Sequence, residues 1–297
     1  MYERLIYTNQ RGETVEFSPY SQFWTNVPTD VVGLADYEAD QHTVQMIGQD
    51  GDTWINGRIR AKRITVAGYV KPISRAAASA ARQQLSHALD PHITGTLTYV
   101  RDSFRRQIEV HPSELPYTHP RFLDRFSVTF ECPDPFWRDA EEVSGDVMSW
   151  VKLWYWLKEN GEPATYIEED NFFFGERQSG GYADIVNIGD VETGAVFGFT
   201  ASATVGTPKI TNIDTGEYIQ INLEMEAGDV FLVDTRRGKK TVVRIRDGAE
   251  TDIYPFLDSG STFLQLAVGT NRLALSARTG EMQANAYVRY QPGYLGV

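Results

Sequence analysis

The sequence predicts a mainly β protein in two successive parts: a β-rich first half that carries one helix, then an all-β sandwich. Three observations predict it. Short stretches in which apolar and polar residues alternate recur along the 297 residues, the period of a half-buried strand. Gly, Asn and Asp turns separate them, most regularly beyond residue 166, as in sandwiches. One stretch of the first half, 74–89, instead carries a helical period.

The elements follow in order. Leu5-Ile6-Tyr7 and Val15-Glu16-Phe17 flank the turn Asn9-Gln10-Arg11-Gly12 and predict a hairpin. Val44–Ile47 is a further strand candidate, and Asp50-Gly51-Asp52 reads as a turn. The run Ile59–Tyr69 reads as one strand whose apolar parity slips at Lys62-Arg63. A bulge there would let the side chains change face. Ser74 is placed to cap a helix reaching Leu89, with Ala77, Ala78, Ala81, Leu85 and Leu89 near one face and Asp90-Pro91 as its stop. Leu97–Val100 and Gln107–Val110 predict a second hairpin around Arg101-Asp102-Ser103. Phe126, Val128 and Phe130 alternate as a half-buried strand, and Cys132-Pro133-Asp134-Pro135 ends it.

A domain boundary is expected just after Trp137. That gives a first domain 1–137, an aromatic connector 138–165 and a C-terminal sandwich 166–297. In the connector, Trp150, Leu153, Trp154 and Leu157 would share one face of a short helix. So aromatic a run equally suits a strand. With Trp156, these residues are the candidate inter-subunit or inter-domain contact, since aromatics anchor interfaces. Packing within their own domain is the plainer reading. Beyond it, strands are expected from Asn171–Phe174 to Ala284–Tyr290. Their turns are at Asp214-Thr215-Gly216, Ala227-Gly228-Asp229, Arg237-Gly238, Asp247-Gly248 and Val268-Gly269-Thr270-Asn271.

Bulk properties exclude several classes. Hydrophobic residues are 41% and charged residues 23% of the chain, the balance of a globular protein. No apolar run approaches the roughly 18 residues of a membrane span, so membrane insertion is not expected. The N-terminus lacks a secretory pattern. Net charge is −12, unevenly spread: residues 1–137 carry 14 Lys and Arg against 16 Asp and Glu, and residues 138–297 carry 14 against 24. An acidic surface repels a phosphate backbone, so specific DNA binding is not expected.

A search for chemistry finds little. Cys132 is the single cysteine, so it has no partner for an intrachain disulfide, and a metal would need other ligands. Nucleophile-elbow, zinc-protease, P-loop and dinucleotide motifs are absent from the sequence. His111 and His119 fall in a proline-rich stretch read as a surface loop, and His87 reads as a solvated helix residue. Asp234–Lys240 reads as a solvated hairpin loop. No catalytic, cofactor-binding or metal residue is assigned, and no cofactor is expected.

An ordered series of turn signatures carries a resemblance. It comprises Ile185-Val186-Asn187-Ile188-Gly189-Asp190, then Thr207-Pro208-Lys209-Ile210-Thr211-Asn212 with Thr215-Gly216-Glu217. It continues through Gly228-Asp229-Val230-Phe231-Leu232-Val233-Asp234-Thr235, Phe256–Leu266 and Val268–Asn271. The series resembles the C-terminal region of siphophage distal tail proteins. The opening hairpin, the helix at 74–89 and the strand into Cys132–Trp137 are similar to that family's first domain. Residues 138–165 match least.

The resemblance implies a β-sandwich or split barrel with one α-helix, like tail-tube proteins, followed by a galectin-like β-sandwich. It implies a non-enzymatic distal tail protein. Copies would form a hexameric ring joining the tail tube to the tail-tip, baseplate and receptor-binding proteins. DNA would pass through the channel without specific binding. The expected location is the virion tail tip, with a soluble state in the bacterial host cytoplasm before assembly. The competing reading is a carbohydrate-binding module aiding host-surface adhesion. A cell-wall hydrolase is a third, to which no motif points.

Overall fold

The computed structural model describes residues 3–71, 75–102, 104–115, 117–118, 124–147, 150–152, 175–177 and 181–297. The chain divides into two compact units, 1–141 with 293–297, and 142–292. The last five residues thus return to the first unit, which a linear division at Trp137 does not foresee.

The first unit runs β1 (Glu3–Asn9), β2 (Thr14–Phe17), β3 (Phe23–Trp24), α1 (Val27–Asp30), β4 (Val31–Val32), β5 (Ala39–Val44) and β6 (Thr53–Ile59). It continues with β7 (Lys62–Val70), α2 (Arg75–Ala88), β8 (Gly95–Arg101), β9 (Phe104–Glu114), β10 (Tyr117–Thr118), β11 (Asp124–Cys132) and β12 (Trp137–Asp139). Neighbours across the main sheet are β11, β7, β3, β2, β1, β8 and β9. The pairing of β9 back onto β11 closes this path into a barrel. The predicted hairpins are present, with Leu5 opposite Phe17 and Leu97 opposite Ile108.

Period-two alternation works as expected where one face is buried. Leu5, Tyr7, Val15, Phe17, Ile64, Val66, Val128 and Phe130 fill the barrel interior. Ala81, Leu85, Ala88 and Leu89 of α2 join the same core. Ala77, placed on that face from sequence, is exposed instead. The buried series 78, 81, 85, 88 follows 3.6-residue spacing more closely. Ser74 lies outside the described residues.

Three further expectations are corrected. The run Ile59–Tyr69 is not one bulged strand. It breaks at Arg60-Ala61, where β6 of a separate two-stranded sheet ends and β7 of the barrel begins. The parity change marks a change of sheet. The strand expected at Val44–Ile47 lies earlier, at Ala39–Val44, and Met46 and Ile47 fall in the connecting loop. His111, read as a loop residue, lies in β9, and Pro112 is buried opposite Phe130. A proline inside a strand belongs at an irregularity, and the β9–β11 register shifts there.

After α2, the Asp90 carboxylate accepts from the His92 backbone N–H at 3.0 Å, lies 2.9 Å from the His92 ring nitrogen and accepts from Arg11 at 2.7 Å. These contacts hold its carboxyl down at about 2. A carboxyl lowered on folding stabilises the fold fully above its unfolded value near ~4 and loses that contribution as pH falls through the folded value. Asp90→Asn should therefore lower the urea midpoint at pH 6 and match the original chain near pH 2. An equal gap at both pH values would contradict this.

The second unit holds β13 (Val143–Asp146), β14 (Trp150–Lys152), β15 (Gly175–Arg177), β16 (Ala183–Asn187), β17 (Thr193–Ala201), β18 (Val205–Asn212) and β19 (Tyr218–Gln220). Next come β20 (Glu224–Met225), β21 (Val230–Asp234), β22 (Thr241–Arg246), β23 (Ala249–Asp252), β24 (Gln265–Leu266), β25 (Gly269–Thr279) and β26 (Ala284–Tyr290). One sheet runs β13-β26-β17-β21-β22-β23 with β24 on β17, and the other β16-β25-β18-β19 with β20 on β18. A single core of Phe197, Phe199, Ile210, Ile219, Phe231 and Leu273 lies between them. At the predicted Asp247-Gly248 turn both residues have positive φ, 49° and 78°, as a two-residue hairpin turn requires. Of the expected turn Val268–Asn271, the last three residues belong to β25. The expected strand 171–174 lies outside the described residues.

The final strand, β27 (Gly293–Tyr294), pairs with β12 in the first unit, Trp137 opposite Tyr294 and Arg138 opposite Gly293.

Candidate assembly surface

The first unit carries one element that does not contribute to its core. Among the described residues, strands β5 and β6 pair only with each other, forming a two-stranded arm. None of their residues is in the barrel's hydrophobic cluster. A bulge between His42 and Thr43 interrupts the ladder, which sharpens local twist. Asp40 accepts from Arg60 Nε at 2.7 Å and Arg58 Nη2 at 3.3 Å. The Arg60 bond, first, holds the Asp40 carboxyl below its ordinary range. Trp54 Nε1 donates to Gln41 Oε1 at 2.6 Å.

These contacts stiffen the arm but leave its apolar side chains uncovered. Trp54 is 61% exposed, Ile55 and Met46 56%, Val44 42%, and Ile47 fully exposed. Isolated exposed hydrophobics are ordinary; five within one short hairpin mark it as a candidate interaction surface. The Asp50-Gly51-Asp52 turn lies in the loop between the two strands, with Gly51 at φ 78°.

The arm's root is built firmly. Gly33 has φ 94°, and a Cβ there would meet the Arg63 carbonyl oxygen at 2.1 Å, so only glycine fits. The Leu34 carbonyl accepts from Trp137 Nε1 at 2.9 Å and from Lys62 Nζ at 3.4 Å. The Arg60 N–H donates to the Glu38 carbonyl at 2.8 Å. A cavity of about 350 Å³ opens beside the root, lined by Val32, Tyr37, Arg60, Lys62 and Pro135 among others.

The contact residues expected in the connector fare differently. Trp150 begins β14 and pairs with Arg177. Leu153, Trp154, Trp156 and Leu157 lie outside the described residues. Sequence reasoning passed over the arm because its strands bury neither face, so no alternation marks them. The available signal was negative: Thr53–Ala61 supplies no core residue immediately before a well-patterned strand.

Chemistry-bearing groups are dispersed. Among the described residues no cluster of three or more His, Cys, Asp or Glu could hold a metal. His42 is on the arm, His87 lies 2.9 Å from Glu13, and His92 is beside Asp90. Burial pushes the Cys132 thiol up to about 12, far from the reactive thiolate range. In the Asp234–Lys240 loop, Arg236 pairs with Asp234 at 2.6 Å.

The turn signatures of the second unit serve the fold. Buried Asn187 donates to the Val191 and Leu266 carbonyls at 2.9 and 3.0 Å and accepts from the Gly189 N–H. Asn271 bonds the Ala267 loop in the same manner. Asp229 takes a two-pronged contact from Arg246, both bonds 2.6 Å. Asp258 accepts from Tyr218, Asn222 and the Gly260 N–H. Each signature polar residue closes a turn that would otherwise leave backbone groups unpaired.

Comparison with known proteins agrees with this architecture. Residues 26–132 match the phage tail protein RIFT-related domain, and residues 188–294 match the C-terminal domain of the siphovirus-type tail component. No curated protein matches the sequence. Among solved structures, the Dit protein of phage SPP1, described as a hub of the adsorption apparatus in phages infecting Gram-positive hosts, aligns with TM-score 0.69 at 14% identity. That alignment covers 97% of this chain and 98% of the SPP1 chain. A chain of the phage p2 baseplate in its activated conformation with Sr aligns with TM-score 0.55 at 12% identity, over 97% and 98%. The same baseplate with Ca gives 0.52 at 13%, again over 97% and 98%.

The fold and the two domain matches define a tail component of a long-tailed phage. Within that class, the chain belongs to the siphophage distal tail protein family.

Proposed function

We propose that this distal tail protein acts without enzymatic chemistry, as a ring at the tail tip. Six copies close through their first units, join the tail tube to the tip and receptor-binding proteins, and leave a channel for DNA. The observation that carries this reading is the β5–β6 arm, whose Trp54, Ile55, Met46 and Ile47 are exposed on one chain. A second copy covers them by burying surface that is costly to leave in water. Association with baseplate proteins and a place in the virion follow from the family and from the hub and baseplate descriptions of the similar structures. Before assembly the chain is soluble in the host cytoplasm. Residues 1–137, with 14 Lys and Arg against 16 Asp and Glu, offer a channel wall no excess of positive charge to hold DNA.

Negative-stain microscopy and light scattering of the purified chain test the reading. Six-membered rings at micromolar concentration are expected. A species that remains monomeric at all accessible concentrations overturns it.

A further inference from the structure

We propose that the segment 293–297 is a strap that locks the root of the arm, so that the arm is presented for assembly only when the strap is docked. The geometry is a chain of contacts. Strand β27 extends the barrel sheet by pairing with β12. Tyr294 is buried in the barrel core, and its hydroxyl donates to Asp139 at 2.9 Å. The Arg106 guanidinium stacks 3.4 Å from the Tyr294 ring centre and donates to the Gly296 carbonyl. Val297 packs against the same core.

Lys62 then ties the strap to the arm's root. Its buried ammonium donates to the Leu295 carbonyl at 2.7 Å and also reaches the Leu34 carbonyl at 3.4 Å. One cation thus bridges the strap and the segment leading into β5. Gly296 presses on the same segment, since a Cβ there would meet Ala35 Cα at 2.9 Å. Burial draws the Lys62 amine below its ordinary value. Its two carbonyl acceptors offset the cost of that burial, and an apolar residue in its place would leave both carbonyls without this donor.

Undocking the strap therefore removes one partner of Lys62 and the packing on Ala35 together. The Leu34-Ala35 turn loses that anchor, and the arm that follows it loses its fixed direction. Because 142–292 lies between β12 and the strap in sequence, the first unit gains its locked arm only after the second unit has been made. Lys62 is a positioning residue here, acting on the arm through Leu34.

Native-state hydrogen exchange on the full-length chain tests the lock without relying on a variant. Held monomeric by dilution, the strap amides and the Arg60 amide at the arm's root should open at the same low denaturant concentration, as one cooperative unit. Gly296→Val should raise exchange at both places at least tenfold while the β1, β8 and β11 amides stay protected. Should the variant not fold, the comparison within the original chain still decides. An arm root that remains protected after the strap has opened overturns the inference. The coupling to assembly rests on the ring reading. If the original chain forms rings and Gly296→Val does so at the same concentration, the lock is refuted and the ring stands. If the original chain forms none, the ring reading falls and exchange alone judges the lock.

Discussion

Trp54→Ala is expected to raise the concentration at which rings form by roughly 60-fold while leaving the melting temperature of the single chain unchanged. The estimate starts from truncation of an aromatic anchor, which removes about 2 kcal/mol per interface, or about 30-fold in each contact's equilibrium constant. A closed ring of six has six such contacts but five independent association steps. The midpoint concentration therefore moves by about 30 raised to six-fifths. In the free chain Trp54 is 61% exposed and its one named bond is to Gln41, so truncation there should cost within about 0.5 kcal/mol. Sedimentation over a concentration series, with parallel melting curves, measures both quantities. A ring midpoint that moves by less than about threefold would remove Trp54 from the interface.

Trp137→Ala should produce the opposite pattern, a large loss of stability felt by every copy. Trp137 is fully buried and donates to the Leu34 carbonyl at 2.9 Å. Emptying a site of that size costs about 4 kcal/mol from lost burial and the cavity left behind. For a unit of this size that lowers the melting temperature by about 10 °C. Trp137→Phe keeps most of the ring volume but gives up the bond, so about 2 kcal/mol is expected. Urea titration followed by circular dichroism distinguishes these values. A loss under about 1 kcal/mol for Trp137→Ala would mean the site collapses around the gap.

The two variants separate what the sequence could express from what it could not. Barrel and sandwich strands were legible because one face is buried and the other is not, so Phe126, Val128 and Phe130 alternate with Ser127 and Thr129. The long helix of the first unit was legible through Ala78, Ala81 and Leu85. The turn asparagines 187 and 271 were legible as a pattern, although their function as carbonyl donors emerged only with the neighbours in place. The arm was not legible. Its strands are two-sided and solvated, and their apolar residues pack against nothing in the barrel core. The strap was equally hidden, since Lys62 and Leu295 are separated by more than two hundred residues, and no local period encodes a contact so distant. A lysine breaking the apolar pattern at the head of β7 was its one trace, and it read as a bulge.

The return of β27 to β12 also carries an entropic consequence. Residues 142–292 enter and leave the first unit across one strand pair, Arg138 opposite Gly293. To the barrel, the whole second unit is a hairpin loop. While that loop is folded, its ends are held by its own sheets. Were it to melt, the pairing would have to close a random loop of roughly 150 residues, about 2.4 kcal/mol costlier than closing one of ten. Melting of the sandwich would thus weaken the barrel's last strand without altering any contact within the barrel, and damage to one unit would register as a lower stability in the other.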